Sequence, residues 1–341
     1  MRRLNNLFLI RLMHAFVLVM YATPVASSFD DLLRELIGCS RNIYHSSVGV
    51  TANAKYISKE YDFVVVGAGS GGSVVANRLS EVLEWTVLLA EAGKEEIFIT
   101  DIPLLVTYIF STDYDWNYKI EPQPGVCLGM KGQRCKWPRG RAMGGSSVIN
   151  YMVYTRGFKS DYDRWAALGN TDWNYDQLLP YFLKSEDVRI PQLFHSKYHA
   201  RGGYLKVEQS KWRSPIVASF LQACRELGYN FSDPNGDHPL GCSLVQKNTD
   251  RGTRCSASKA FLRPIRRRRN LHVTKETRVT KILIDPATKR AYGVEMVKNR
   301  RRYRVRARKE VILCAGTLNS PQLLMLSGIG PERHLRELGI D

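Results

Sequence analysis

The chain has 341 residues, of which 44% are apolar and 24% charged, with a formal net charge of +18 at pH 7. This length and apolar content suit about two globular domains, and they exclude a low-complexity chain. Seven cysteines fit an oxidising compartment, and none shows the C-x-x-C spacing that would indicate a zinc site.

The first 28 residues resemble a secretory signal peptide. A basic start precedes the mostly apolar run Leu4–Val19, and small residues around Ser27 suit a cleavage site. The alternative is an uncleaved membrane anchor, but the run is short and contains charge, which disfavours a span. We therefore expect a secreted protein without a transmembrane span. A leader over 29–60 follows, with a short helix predicted at Asp30–Ile37.

A glycine-rich turn follows the first predicted strand of the next region. Phe63–Val66 is an apolar, β-branched run, which predicts a strand buried on both faces. Gly67, Gly69 and Gly72 then follow with G-x-G-x-x-G spacing. The first glycine permits a tight turn, the second lets a pyrophosphate approach the backbone, and the third lets a helix pack close to the strand.

The residues after this turn complete a dinucleotide-binding unit. Ser73–Ser80 has the apolar spacing of a helix, whose N-terminus offers free N–H groups to phosphate. Thr86–Ala90 predicts the next strand. Glu91 follows it, 19 residues after Gly72, where an acid accepts hydrogen bonds from a ribose diol. The alternative is a tight turn without a ligand, and the pattern alone does not distinguish NAD from FAD.

Residues 95–135 are rich in predicted loops. Their aromatic residues are more typical of core or lid packing than of a cofactor site: Tyr108, Phe110, Tyr114, Trp116 and Tyr118. Cys127 and Cys135 flank a glycine-containing loop and are close enough in sequence to close a small disulfide.

Residues 160–250 have a different texture, which indicates an inserted segment that packs over the cofactor domain. Helices are predicted at Asp161–Leu168, Tyr175–Glu186 and Pro215–Leu227. His195 and His199 are four residues apart, as in a helical metal pair, but they lie in a loop-like region without an acidic partner. We therefore predict no metal site.

A second glycine-rich element precedes this segment, at Trp137–Asn150. Gly144, Gly145 and the two serines after them offer N–H groups and hydroxyls that suit a second contact with a pyrophosphate or a flavin ring. An ordinary surface turn is the alternative. Asn150 lies among apolar residues, so its amide is expected to be buried and to need a partner. A flavin edge and a backbone carbonyl are both candidates for that partner.

The chain returns to α/β patterning from about residue 251. Strand-like runs occur at Leu271–Thr274, Arg278–Ile284, Tyr292–Val297 and Tyr303–Cys314, and a helix is predicted at Ser320–Ser327. Cys314 lies inside the last apolar run, which predicts a buried free thiol. Ser320 is the predicted N-cap of the helix, with Pro321 at its first position.

The positive charge is concentrated in residues 263–309, which hold 18 lysines and arginines against three acids. A surface for nucleic acid or another polyanion is one interpretation. The other is a solvated sheet face, because four arginines occupy alternate positions from Arg302 to Arg308. We favour the second and expect no nucleic-acid partner; a weak attraction to acidic surfaces stays open.

Three segments together resemble the glucose–methanol–choline (GMC) oxidoreductases, FAD-dependent enzymes that oxidise alcohols: 61–93, 137–163 and 316–330. Gly140–Asp163 is similar to the first signature of that family, with Met143 as a mild departure. Gly316–Gly330 is similar to the second signature throughout. The resemblance covers about residues 60–341.

This resemblance implies an α/β fold, with a Rossmann-like FAD-binding domain and an inserted, incomplete α+β substrate (cap) domain. Residues 61–160 and 251–341 would form two parts of the FAD-binding domain, and residues 161–250 the cap segment. Some relatives attach FAD covalently through a histidine, but Ile149 stands at that position. The resemblance therefore implies non-covalent FAD.

The resemblance also implies the contacts of that FAD. Gly67, Gly69 and Gly72 would hold the pyrophosphate, Glu91 the adenosine ribose, and the Val279 backbone the adenine. The remaining contacts would lie along the pyrophosphate and flavin: Ala142, Gly144, Asn150, Tyr151, Met152, Val153 and Gly316.

The implied reaction is the oxidation of an alcohol or a sugar by hydride transfer to flavin N5, with quinone or oxygen as electron acceptor. A histidine of the family takes the hydroxyl proton, since an imidazole titrates near working pH. That histidine belongs to the C-terminal half of the family's longer chain, so we expect it beyond Asp341 and assign no catalytic residue here. The alternative is a truncated, non-catalytic flavin-binding or interaction protein.

Overall fold

A computed structural model describes residues 50–340. The predicted signal peptide and the helix at Asp30–Ile37 lie outside the described residues. The strands are, in chain order, β1 (Glu60–Val66), β2 (Val87–Ala90), β3 (Tyr118–Lys119), β4 (Lys136–Trp137), β5 (Glu186–Val188), β6 (Leu205–Gln209), β7 (Gln246–Lys247), β8 (Thr249–Asp250), β9 (Thr253–Arg254), β10 (Leu271–Thr274), β11 (Thr277–Ile284), β12 (Ala291–Lys298) and β13 (Arg301–Leu313).

The α-helices of the described chain are α1 (Ser70–Leu79), α2 (Phe98–Asp101), α3 (Val106–Ile109), α4 (Lys159–Ala167), α5 (Tyr175–Ser185), α6 (Ile216–Glu226), α7 (Asn319–Met325) and α8 (Glu332–Glu337). No helix within residues 50–340 is both long enough and apolar enough to cross a membrane.

The central sheet has six strands in the order β10-β2-β1-β13-β12-β11. The first four are parallel, and β12 and β11 continue the sheet as an antiparallel meander. Val66 pairs with Ala90 and with Leu313, and Ala90 pairs with Thr274. The carboxyl ends of the four parallel strands therefore lie along one edge, where open α/β sheets bind their ligands. This is the Rossmann-like α/β fold that the sequence predicts.

The sheet is buried on both faces, as the β-branched run at its centre predicts. Val64 belongs to one apolar cluster, together with Leu88, Met296 and Val305. Val65 belongs to the cluster on the other face, with Leu262. Burying each valine contributes about 2 kcal/mol, so a central strand of this composition is stable only inside a two-sided core.

Strand β13, which lies between β1 and β12 in the sheet, also follows its predicted pattern. Val305 and Ala307 are buried in the core, whereas the alternating arginines between them are exposed. Arg302 and Arg304 make only long contacts with Glu295, at 3.7 and 3.5 Å. These two charges face solvent, as the period-two alternation indicates. Arg308 differs, because it pairs with Glu60 at 3.0 Å and with Asp62 at 2.8 Å.

The helix after β13 begins earlier than predicted. α7 starts at Asn319, and its N-cap is Leu318, so Ser320 lies inside the helix. The reason is the turn at Gly316, whose φ of +94° lets the Ser320 N–H donate to the Gly316 carbonyl at 2.9 Å. The prediction that Ser320 caps the helix is wrong.

Residues 151–250 build a separate three-stranded sheet, in the order β5-β6-β7, with α4, α5 and α6 around it. The three helices lie within two residues of their predicted bounds. Val188 and Val207 form a small apolar cluster with Tyr154 and Ile190. This cluster is smaller than the cores of the central sheet.

A buried charge network holds this smaller unit. Arg156 lies 2.8 Å from Glu186, and both side chains are almost fully buried. The His199 imidazole bonds to Glu186 at 2.9 Å through Nδ1 and to Asp233 at 2.8 Å through Nε2. The expectation that this histidine lacks an acidic partner is wrong, because the fold brings Glu186 and Asp233 to it. Both ring nitrogens of His199 therefore form hydrogen bonds to carboxylates. His195, in contrast, is exposed.

Two disulfides tie loops of the chain. Cys127 and Cys135 are bonded, which confirms the predicted pair. Cys224 and Cys242 form a second bond that the sequence reasoning missed. Cys314 is a free thiol, as predicted, although it is only partly buried.

Candidate dinucleotide-binding cleft

A cleft of about 390 Å³ opens at the carboxyl edge of the parallel strands. Its walls are formed by residues from five segments and one tryptophan: 66–71, 90–92, 139–146, 277–280, 314–326 and Trp116. Three of the four parallel strands, β1, β2 and β13, contribute a residue at or just after their carboxyl end to the cleft, and β10 does not. This is where the topology places a ligand in an open α/β sheet.

The three glycines of the first turn have three different surroundings. A Cβ on Gly67, which has a φ of +98°, would lie 2.5 Å from the Cys314 carbonyl oxygen. A Cβ on Gly72 would lie 1.9 Å from the Gly67 carbonyl oxygen. A Cβ on Gly69 would meet nothing closer than the Gly145 Cα at 3.9 Å. Gly67 and Gly72 therefore close the turn, and Gly69 leaves open space beside the cleft.

Helix α1 directs its N-terminus at this open space. Gly69 is the N-cap, and no side chain caps the first turn. Ser70 and Gly71 line the cleft. The first N–H groups of a helix have no partner inside the helix, and together with the helix dipole they favour an anion.

Glu91 lies at the carboxyl end of β2 and lines the cleft. Its Oε2 accepts a hydrogen bond from the Ala68 N–H and its Oε1 one from the Gly93 N–H, both at 2.8 Å. Burial raises the pKa of this carboxyl to about 7, although the backbone N–H groups oppose the shift. Each oxygen of a carboxylate has two acceptor sites, so Glu91 retains capacity to accept from a diol.

The second glycine element packs directly on the first. The Gly144 N–H donates to the Ala68 carbonyl at 2.8 Å, and a Cβ on Gly145 would lie 2.7 Å from the Gly69 Cα. Gly145 and Ser146 line the cleft, whereas Gly144 does not. The element is therefore a wall of the same cleft, not a separate surface turn.

The predicted cofactor contacts divide into two groups. Five of them line the cleft: Gly67, Gly69, Glu91, Val279 and Gly316. The others do not line it: Gly72, Ala142, Gly144, Asn150, Tyr151, Met152 and Val153. Tyr151 and Val153 are exposed, whereas Ala142 and Met152 are buried.

Asn150 differs from its predicted environment. This residue is exposed, whereas Met152 and Tyr154 further along the same segment are buried. Its Oδ1 accepts hydrogen bonds from the Met152 N–H at 3.0 Å and from Arg254 Nη1 at 2.9 Å. The expectation of a buried amide is wrong, and the partner is an arginine.

Several lining residues were missed by the sequence reasoning. Two guanidinium groups lie near the Trp116 ring, with Arg141 at 5.6 Å and Arg278 at 5.7 Å from its centroid. Its neighbour Tyr118 stacks on it and donates to Asn319 Oδ1 at 2.5 Å. Aromatic residues before the second glycine element were the available signal, but their spacing did not distinguish core from cleft.

The residues present fit an anionic dinucleotide. The Nε of Arg139 is buried without a hydrogen-bond partner, and this arginine lines the cleft beside Gly140. Gly316 also lines the cleft and faces open space, since a Cβ there would meet no atom within 4 Å. An arginine Nε without a hydrogen-bond partner, a free helix N-terminus and two open glycines suit a bound pyrophosphate.

Comparison with known proteins decides the family. A family model described as GMC oxidoreductase matches residues 61–340. The chain belongs to the GMC oxidoreductase family, whose members are FAD-dependent oxidoreductases. This membership confirms the resemblance that the three sequence segments indicate.

The chain is similar to several characterised proteins. It is 46% identical over 282 residues to glucose dehydrogenase (FAD, quinone) of Drosophila melanogaster, which covers 82% of this chain and 45% of that protein. It is 40% identical over 312 residues to mitochondrial choline dehydrogenase of Mus musculus, covering 89% of this chain and 49% of that protein. The chain thus spans about half the length of the curated relatives it matches.

Solved structures show the same relation. The crystal structure of pyridoxine 4-oxidase from Mesorbium loti matches with a TM-score of 0.76 and 35% sequence identity, and the match covers 82% of this chain and 54% of that chain. Formate oxidase matches with a TM-score of 0.75 and 29% identity, over 84% of this chain and 50% of that chain. Both similarities support the Rossmann-like FAD-binding fold.

Proposed function

We propose that this chain binds FAD non-covalently and forms the cofactor-binding part of an oxidoreductase acting on CH–OH groups. The observation that carries the proposal is the cleft at the carboxyl edge of the sheet. There the open face of Gly69, the N-terminus of α1 and Glu91 lie along one surface. When bound, FAD would supply the hydride acceptor of the reaction.

The chain's own residues would bind and orient that cofactor. The N–H groups at the start of α1 and the free Nε of Arg139 would hold the pyrophosphate. Glu91 would accept the ribose hydroxyls, and the Val279 backbone would meet the adenine. Non-covalent binding is supported by Ile149, which is buried and offers no nucleophilic atom at the position where some relatives attach FAD.

The substrate is proposed to be an alcohol or a sugar, with quinone or oxygen as the electron acceptor. Glucose dehydrogenase (FAD, quinone) is 46% identical over the shared residues, which favours a sugar and a quinone. Secretion is proposed from the composition of the first 28 residues.

The catalytic base is proposed to lie outside residues 50–340. Among the residues that the structure describes, no histidine lines the cleft. The same observation favours the second candidate, a flavin-binding or interaction protein without activity of its own.

Flavin absorbance of the purified chain tests the cofactor. We expect the two visible bands of bound flavin after desalting, and release of all flavin into solution on acid precipitation. Gly69→Ala should weaken FAD binding, whereas the matched control Gly129→Ala, whose surroundings are open and remote from the cleft, should not. A chain without flavin, or flavin that stays with the precipitate, would contradict the proposal.

Addition of substrate then separates the two candidate functions. Glucose and a quinone acceptor should leave the flavin absorbance of this chain unchanged, because no base is placed at the cleft. Rapid bleaching by glucose would show instead that the base is present. An unbleached flavin that bleaches when the C-terminal half of a relative is added would favour the enzyme over the interaction protein.

A further inference from the structure

Arg254 is a buried arginine without a paired acid. The residue is 1% exposed and ends β9. Glu96 and Asp101 attract its charge electrostatically, but neither forms a hydrogen bond with it. Glu96 accepts a hydrogen bond from Ser256 Oγ at 2.9 Å, and Asp101 pairs with Lys259. Arg254 Nη2 has no hydrogen-bond partner. Burial of an unpaired charge costs stability, so the groups that accept hydrogen bonds from this guanidinium indicate why an arginine is buried here.

Three acceptor oxygens from two elements converge on this guanidinium. Its Nε donates to the Thr100 carbonyl at 2.8 Å, and its Nη1 donates to the Ser147 carbonyl at 2.9 Å. Nη1 also donates to Asn150 Oδ1 at 2.9 Å. Arg254 therefore connects α2, the second glycine element and the residue that the family resemblance places along the flavin.

The hydrogen bonds to Asn150 fix the direction of its amide. Oδ1 accepts from Arg254 on one side and from the Met152 N–H on the other. A flipped amide would place its own N–H groups against two donors, because the amide nitrogen only donates. The Nδ2 group is therefore turned away from Arg254, on a side chain that is exposed.

The same amide holds a left-handed residue. Met152 has a φ of +60°, a conformation that side chains other than glycine rarely adopt, and it is buried. Its N–H is held by Asn150 Oδ1 and its carbonyl by the Asn248 N–H at 2.8 Å. Backbone strain of this kind persists where surrounding contacts determine the conformation.

We propose that Arg254 is a positioning residue of the cofactor site, which turns the Asn150 amide N–H groups outward to donate to an acceptor on the bound FAD. This inference rests on the proposed function, since it needs FAD beside residues 150–153. Arg254 itself is shielded from the cleft and acts through Asn150.

A double-mutant cycle on FAD affinity tests this role. Arg254→Met and Asn150→Ala should each weaken FAD binding about tenfold, and the double variant should bind no worse than the weaker single variant. Flavin fluorescence quenching measures the dissociation constants. Arg268→Met is the matched control, because Arg268 also holds backbone and side-chain oxygens, at Asn77 and Ser80, away from the cleft. Independent, multiplying effects of the two substitutions would overturn the proposal.

Hydrogen exchange tests the amide orientation without the cofactor. Arg254→Met should accelerate exchange of the Met152 N–H in the chain without FAD, because the Asn150 amide is then free to turn. Asn150→Asp retains the acceptor oxygens, so it should keep Met152 protected while losing FAD affinity with the lost N–H donors. An unchanged Met152 N–H in Arg254→Met would overturn the inference. A parent chain that binds no FAD would contradict only the proposed function, since the exchange result would still decide the orientation.

Discussion

The dinucleotide unit and the segment 151–250 each bury a carboxylate, but they stabilise it by different means. Glu91 accepts hydrogen bonds from two backbone N–H groups, those of Ala68 and Gly93. Glu186 accepts one backbone N–H, from Ala200 at 2.8 Å, and otherwise contacts the side chains of Arg156 and His199. The first arrangement uses the backbone N–H groups of one motif, whereas the second depends mainly on side chains from other segments. The two regions should therefore respond differently to substitution and to pH.

The largest expected effect is in the segment with the side-chain network. Arg156→Met removes the cation beside Glu186 and leaves a buried carboxylate only partly compensated, which should lower the free energy of unfolding by about 3–5 kcal/mol. Urea unfolding measures the loss, and hydrogen exchange should locate it in β5 and β6. Arg134→Met is the control, because both side chains of the Arg134–Glu121 pair are exposed and such a pair is worth at most about 1 kcal/mol. Equal losses in the two variants would remove the contrast between the regions.

The dinucleotide unit is expected to depend on backbone contact instead. Gly72→Ala places a Cβ 1.9 Å from the Gly67 carbonyl oxygen, and should cost about 3 kcal/mol of stability together with FAD binding. Gly69→Ala should cost at most about 1 kcal/mol of stability, since its surroundings are open, and should mainly weaken FAD binding. Thermal unfolding and flavin titration of the two variants measure both quantities. A stable Gly72→Ala variant with normal FAD affinity would contradict the close packing of α1 on the turn.

This difference also explains what the sequence predicts. The strand at Phe63–Val66, the glycine spacing and Glu91 form a motif within about 30 residues, and the structure shows each of them in the expected element. His199 gains its acidic partners only through the fold, because Glu186 and Asp233 belong to other segments, 13 and 34 residues away. No short sequence pattern predicts such side-chain pairs.

The cofactor loop shows the same limit. Asn150 was expected to be buried from its apolar neighbours, but its partner Arg254 lies 104 residues further along the chain. The left-handed conformation of Met152 cannot be predicted from the sequence either, because methionine has no preference for that conformation. Long-range hydrogen bonds and unusual dihedral angles are therefore the part of the site that sequence reasoning misses.

Raised pH sharpens the comparison further. Burial lowers the pKa of His199, but the hydrogen bonds to Asp233 and Glu186 outweigh burial and raise it to about 9. A pKa raised from 6.5 gives stability that is complete below about pH 6.5 and is lost as the pH rises through 9, by at most about 3 kcal/mol. Urea unfolding between pH 6 and 10 measures this loss. His199→Gln should abolish the slope, and the exposed control His238→Gln should retain it; a retained slope in His199→Gln would assign the effect to another group.

The smallest expected effect concerns the acid of the dinucleotide unit. Burial raises the pKa of Glu91 to about 7, so the carboxylate that accepts ribose hydroxyls predominates only above neutral pH. Lowering the pH from 8 to 6 should therefore weaken FAD binding about tenfold, or about 1.4 kcal/mol, in the direction opposite to the His199 effect on stability. Flavin titration across this range measures it. Glu91→Gln should bind FAD weakly at every pH, because its amide cannot titrate. If that variant kept the same pH dependence, the proton would belong elsewhere, and Glu91 would serve only to hold the Ala68 and Gly93 backbone.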